Sequence, residues 1–243
     1  MNPACRRIVA RALLSCACTL AWAAPAGDIA RFSSVAPGAG LPPGWTALTF
    51  RRIARHTEYR TVDDDGKTVV RADADASASG LIFRLSADAR SRGMLHWRWK
   101  VSGTVPSSDP TRKSGDDYAA RVYVTFEHPA GQVGMLERAA RAMYGGDLPH
   151  SGLNYIWATA GPVGRIVPNA YTERLRMLVV ESGQDKVGRW VDEERDVYAD
   201  YRRAFGSEPP PISGIAVMTD TDDTGGRATA FYGDVSLDAT PPR

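Results

Sequence analysis

The chain has 243 residues, with 30 Lys and Arg against 28 Asp and Glu, 43% hydrophobic and 9% aromatic. That length can bury a full core and allows one large domain or two small ones. A charge this close to neutral leaves no electrostatic footprint for nucleic acid or an anionic membrane, and no later stretch is long and apolar enough to span a bilayer.

Arg6, Arg7 and Arg11 precede a small or apolar run from Ala12 to Trp22, and Ala21-Trp22-Ala23 fits an A-x-A cleavage site. The pattern predicts a secretory signal peptide over residues 1–23, too short for a membrane span. A lipoprotein signal through Leu13-Leu14-Ser15-Cys16 is weakened by Arg11 in the run before Cys16. Cys5, Cys16 and Cys18 all fall inside this leader. The mature chain is then free of cysteine, which excludes a disulfide framework, a thiol nucleophile and a cysteine metal site. It keeps 27 basic against 28 acidic residues, a formal charge of −1, and belongs in the periplasm or outside the cell.

Residues 24–44 are rich in Gly, Pro, Ala and Ser and read as an extended entry segment, with a single domain over 45–238 and a tail at 239–243. Trp45, Leu48 and Phe50 open the first strand. Tyr59–Val62 and Thr68–Arg71 flank Asp63-Asp64-Asp65-Gly66, a hairpin with an acidic turn rather than a metal site. After Gly80–Leu85 comes the cleanest alternation in the chain. Leu95, Trp97, Trp99 and Val101 face one way, and His96, Arg98 and Lys100 the other. The tryptophans are expected inside and the basic face wet. A loop from Gly103 to Gly115 leads to Asp116-Asp117, then to a strand with Tyr118, Ala120, Val122, Val124 and Phe126 on its core face and Arg121, Tyr123 and Thr125 opposite.

Two segments break the β rhythm. Val133, Leu136, Ala140, Met143 and Tyr144 recur at helical spacing before Gly145-Gly146. Asp192-Glu193-Glu194 supplies a cap and acidic first turn for Val197, Tyr198, Tyr201 and Phe205, which end at Gly206 and three prolines. Further strands are read at Leu153–Ala158, Arg174–Val180, Ile212–Thr219 and Ala228–Leu237. About ten strands with two short inserted helices predict an all-β, jelly-roll-like β-sandwich.

Trp97-Arg98-Trp99-Lys100-Val101, Asp116 to Val124, Gly214 to Asp222 and Tyr232-Gly233-Asp234-Val235 together resemble a bacterial secreted family known as domain of unknown function 3047. The resemblance runs from about Trp45 to Leu237 and implies no reaction. Phe231 to Leu237 also resembles the last strand of jelly-roll carbohydrate-binding modules, in several of which the matching Asp helps hold a structural calcium. That likeness implies Asp234 as a ligand.

The acidic loop Asp220-Thr221-Asp222-Asp223-Thr224-Gly225 copies the start of an EF-hand, but Phe231 stands where the bidentate Glu belongs and the flanks read as strands. An EF-hand is excluded. A simpler calcium site on Asp220 and Asp222, joined by Asp234, stands against a loop bonded to its own backbone. Asp116 and Asp117 point to opposite faces of an extended chain, so they do not make a glycosidase pair by themselves. Capping, or pairing with Arg121, is the plainer reading. His56, His96, His128 and His150 sit in no catalytic motif. The remaining candidate surface joins Arg98, Arg121, Tyr123 and Thr125 with Asn154, or with Tyr155 and Trp157, according to register. Flat aromatic faces and guanidinium forks suit sugars and uronic carboxylates. The expected role is therefore non-catalytic binding of a carbohydrate or envelope glycan through Arg98, Asp116, Asp117, Arg121, Tyr123 and Trp157. A polysaccharide lyase or hydrolase, and an envelope structural or protein-interaction module, are the alternatives.

Overall fold

The computed structural model describes residues 29–128 and 150–241. The expected signal peptide and the helix predicted around Val133–Tyr144 lie outside the described residues.

In chain order the strands are β1 (Trp45–Leu48), β2 (Glu58–Asp64), β3 (Lys67–Asp75), β4 (Ala78–Ala87), β5 (Met94–Val101) and β6 (Arg121–Phe126). They continue with β7 (Ser151–Ala158), β8 (Ile166–Pro168), β9 (Leu175–Ser182), β10 (Val191–Asp196), β11 (Ile212–Asp220) and β12 (Arg227–Asp238). Seven strands form one sheet in the order β1-β4-β11-β6-β7-β9-β8, and five form the other as β10-β5-β12-β3-β2. Neighbours are antiparallel except β7 with β9. The pairs β3 with β12, β4 with β11 and β5 with β10 nest inside one another and alternate between the sheets. That is an antiparallel ribbon rolled on itself, the expected jelly-roll-like sandwich.

Local chemistry sets several elements. Asp65 and Gly66 take positive φ of 55° and 74°, the conformation of a two-residue type I′ turn, and fix the β2–β3 register. On β5 every second side chain is buried, so Trp97 and Trp99 enter the core and His96, Arg98 and Lys100 line the outer face. Trp97 meets Tyr155 at 5.3 Å and Trp99 meets Trp157 at 5.9 Å between ring centroids, which joins the two sheets through aromatic contact.

The second predicted helix is α1 (Val197–Phe205), and its start differs from expectation. Asp192, Glu193 and Glu194 belong to β10, paired with Arg98, Trp97 and His96. The cap is Asp196, whose carboxylate accepts the Ala199 N–H at 3.0 Å. Pairing with an open sheet edge outweighs the local helix signal. β11 and β12 lie in different sheets, so the acidic loop between them is an arch over the end of the sandwich, not a hairpin. No helix among the described residues is long and apolar enough to cross a membrane.

At the β10 edge the interior charges do not balance. Lys186 Nζ holds Glu181 at 2.5 Å, and Arg195 makes two bonds to Asp200 at 2.8 and 2.6 Å. Glu193 is left with the Trp99 indole N–H at 3.2 Å. Burial and the Glu181 charge push its carboxyl up to about 7. Between its unfolded value near 4.5 and about 7 the folded state holds the proton more tightly, so stability falls as pH rises through that window and levels off above it. Unfolding titrations from pH 4 to 8 should show Glu193→Gln missing a decline on the order of 2 kcal/mol that the wild type carries. An unchanged slope in that variant would show the decline arises elsewhere.

Candidate functional site

Arg121 is the first residue of β6 and points to the outer face of the seven-stranded sheet, yet only 2% of it is exposed. The chain before it is bent rather than extended: Asp116–Ala120 form no strand. The period-two reading that placed Tyr118 with the core residues Val122 and Val124 therefore fails. Tyr118 packs instead with Ile156, Ala158, Val167, Met177 and Val179 on the outer face, and Arg121 lies over its ring at 4.4 Å. A cation on an aromatic face recovers part of what the guanidinium loses on leaving water.

Arg121 ties three segments together. Its Nε donates to Asp220 Oδ1 at 2.8 Å, and Nη2 reaches Asp220 Oδ2 and the Asp116 carbonyl. Nη1 donates to the Tyr123 hydroxyl at 3.0 Å and to Asp116 Oδ1 at 3.4 Å. Asn169 Nδ2 donates to the other Asp116 oxygen at 2.8 Å, and the Tyr118 N–H donates to Asp220 at 3.0 Å. Asp117 turns the other way: its carboxylate accepts the backbone N–H groups of Asp223 and Thr224 at 3.3 and 2.6 Å, which holds the arch. The two adjacent aspartates thus serve different partners.

Asp116, Asp117, Arg121 and Asp220 do converge, but as a buried knot rather than a solvent-lined cleft. Asp117, Asp220 and Asp222 carry oxygen atoms within 4.8 Å of one another, and these hard donors could hold a divalent cation. Burial pushes Asp220 above the ordinary carboxylate range, Asp117 and Asp116 add to the push, and Arg121 opposes it. Half-buried Asp222 is raised by desolvation and by Asp223 and Asp117, and Asp223 is raised by desolvation and by Asp117 and Asp116.

The solvent side of the knot is a rim that sequence reasoning missed. Tyr171 is 53% exposed, its hydroxyl donates to Asp223 Oδ1 at 2.5 Å, and Lys113 Nζ lies 5.3 Å from its ring centre. Asn169 Oδ1 accepts the Tyr171 N–H at 3.0 Å, so the residue that holds Asp116 also sets this ring. The available signal was an aromatic residue in a Pro168-Asn169-Ala170-Tyr171 loop, where such a side chain has no core to enter.

The model of the family described as "Protein of unknown function (DUF3047)" matches residues 43–236. The chain belongs to that family. No curated protein matches the sequence. Among solved structures, this DUF3047 chain is similar to the carbohydrate-binding module CtCBM11, at 11% identity and a TM-score of 0.43 over 90% of this chain and 99% of the other. It is also similar to a family 12 xyloglucanase from Bacillus licheniformis, at 7% identity and a TM-score of 0.43 over 81% and 94%. A third is endoglucanase 3 of Trichoderma harzianum, family GH12, at 9% identity and a TM-score of 0.39 over 83% and 100%. At that distance the likeness carries no functional argument.

Three expected members of the DUF3047 site lie apart from it. Register pairs Tyr123 with Asn154 and Arg121 with Ile156, so Trp157 faces the core, 1% exposed, with its indole N–H on the Gly183 carbonyl at 3.1 Å. Arg98 belongs to the other sheet and stacks on Trp190 at 4.2 Å. It lies across Gly233, where a Cβ would come within 2.3 Å of Arg98 Cγ. Asp234 is on that same sheet and binds the Ser33 N–H and hydroxyl at 2.9 and 2.5 Å, which removes it from the Asp220–Asp222 set. Arg98 and Asp234 line a shallow groove of about 530 Å³ with His96, Glu194 and Asp238.

If the knot holds the loops, removing its cation strands Asp220 and Asp116 as buried charges. Arg121→Ala should cost roughly 3–5 kcal/mol, and Arg121→Lys, which keeps charge but not the fork, should recover only part. Urea unfolding of the three proteins measures this. A loss under about 1 kcal/mol for Arg121→Ala would show that the ion pair contributes little.

Proposed function

We propose that this protein is a non-catalytic glycan-binding β-sandwich of the bacterial envelope or exterior, with its binding surface at the end of the sandwich where the arch, the Asp116 loop and the Asn169–Tyr171 loop meet. The observation that carries the reading is Tyr171, an aromatic ring held half in solvent by Asn169 and Asp223 beside open carboxylates. A fixed exposed ring offers a sugar its flat face at little entropic cost, and neighbouring acceptors take the hydroxyls. Asp116, Asp117 and Arg121 enter this reading as the support that positions the rim. Tyr123, whose hydroxyl is spent on Arg121, belongs to the same support. Those buried carboxylates are engaged by backbone N–H groups, Asn169 and Arg121, which favours binding over turnover.

The cation expected from the sequence is carried forward as a calcium ion among Asp117, Asp220 and Asp222. It would offset the repulsion that raises Asp220 and Asp222 and tighten the arch under Tyr171.

Two measurements check the proposal. In affinity electrophoresis against envelope and plant polysaccharides, the wild type should be retarded by at least one, and Tyr171→Ala should run unretarded at unchanged melting temperature. Retardation that survives in Tyr171→Ala would move the site elsewhere. Millimolar calcium should raise the melting temperature of the wild type and not of Asp222→Asn. No shift in the wild type would remove the metal.

A further inference from the structure

Between the loop at 106–112 and the turn at 159–165 lies a shallow, open cavity of about 420 Å³. Pro106 and Pro110 give it apolar walls, and Ser108, Arg112, Thr159 and Arg165 give it polar ones. The Thr159 hydroxyl is committed, donating to the Val105 carbonyl at 2.7 Å. The Ser108 hydroxyl is buried and has no partner. Asp109 also borders the cavity, but both its oxygens are taken: Oδ1 by the Thr111 N–H and hydroxyl at 2.9 and 2.6 Å, Oδ2 by Arg112 Nε at 2.7 Å. Arg112 thereby offsets the charge of Asp109. That leaves Arg165 as the net charge of the cavity, with no side-chain partner among the described residues.

We propose that this cavity is a subsite for the carboxylate of an acidic sugar, with Arg165 as its ion-pair partner. A guanidinium presents two parallel N–H groups that match the two oxygens of a carboxylate, and the proline rings suit the C–H face of a pyranose. The chain as a whole is near neutral, so an unspent guanidinium here is local chemistry and not part of a general basic surface. The subsite is tied to the rim through one loop: the Asp109 N–H donates to the Gly115 carbonyl at 2.7 Å, and Lys113 in the same loop lies over Tyr171. The inference rests on the glycan reading and names its substrate class.

The test uses the mature chain, its Arg165→Gln variant and three probes: glucuronate, a galacturonate oligosaccharide, and a neutral cello-oligosaccharide of equal length. Arginine side-chain NMR should show the Arg165 Nε–H resonance move with glucuronate. Calorimetry should show the galacturonate oligomer bound at least about tenfold more weakly by Arg165→Gln, with the neutral oligomer unaffected. Arg165 is exposed, so folding of the variant is not at issue. If the Arg165 signal moves with glucuronate while neither oligomer binds, the anion subsite stands and the glycan reading falls. If oligomers bind equally to both proteins and the signal is still, the subsite falls and the glycan reading stands. Silence from all three probes overturns both.

Discussion

The end of this sandwich depends on one buried ion pair, Arg121 with Asp220. β6 and β11 are neighbours in the seven-stranded sheet, and the pair forms where both strands reach the same end. From there the guanidinium gathers the Asp116 loop, and Asp117 gathers the arch through backbone N–H groups. Taking these charges out of water costs several kcal/mol per ion, which the Coulomb attraction offsets only when every hydrogen-bonding position is filled. Nearly all of them are here, by Tyr123, Asn169, the Tyr118 N–H and the Asp116 carbonyl. A hydrophobic plug would stabilise the fold as well. What the polar knot adds is a single geometry for three loops, and so a defined place for whatever stands on them.

That logic separates support from surface. The charged residues most conspicuous in sequence, Asp116, Asp117 and Arg121, lie inside, and the groups offered to solvent are Tyr171, Asp222, Asp223 and Arg165. The outer face of the five-stranded sheet is organised differently. Lys100 holds Asp64 at 2.7 and 2.5 Å and lies 4.6 Å from the Phe231 ring centre, while Arg98 covers Trp190. Its cations are spent on its own aromatics and acids, which makes it a braced wall with a shallow groove.

Much of the fold was legible because strand burial has period two. Trp97 and Trp99 against His96, Arg98 and Lys100 announced an inner and an outer face, and Asp65-Gly66 announced a hairpin. Failures came where tertiary pairing outweighed local pattern. Asp192-Glu193-Glu194 looks like a helix start and is an edge strand. Tyr118 continues an alternation that a bend before Arg121 breaks. The site was legible only as residue types. That Asp116, Arg121 and Asp220 meet follows from the adjacency of β6 and β11, which no local window contains. That Asp234 and Trp157 belong elsewhere follows from sheet membership and from a one-residue choice of register. Tyr171 and Arg165 carried no pattern, since an exposed loop side chain answers to no periodicity.

On the proposed reading, ligand meets this protein at the loop end and not on the five-stranded sheet. Backbone amide NMR of the mature chain titrated with an acidic oligosaccharide tests it most directly. Shifts are expected to concentrate at residues 107–117, 159–172 and 220–225. Shifts centred instead on His96, Arg98, Glu194 and Asp234 would contradict it.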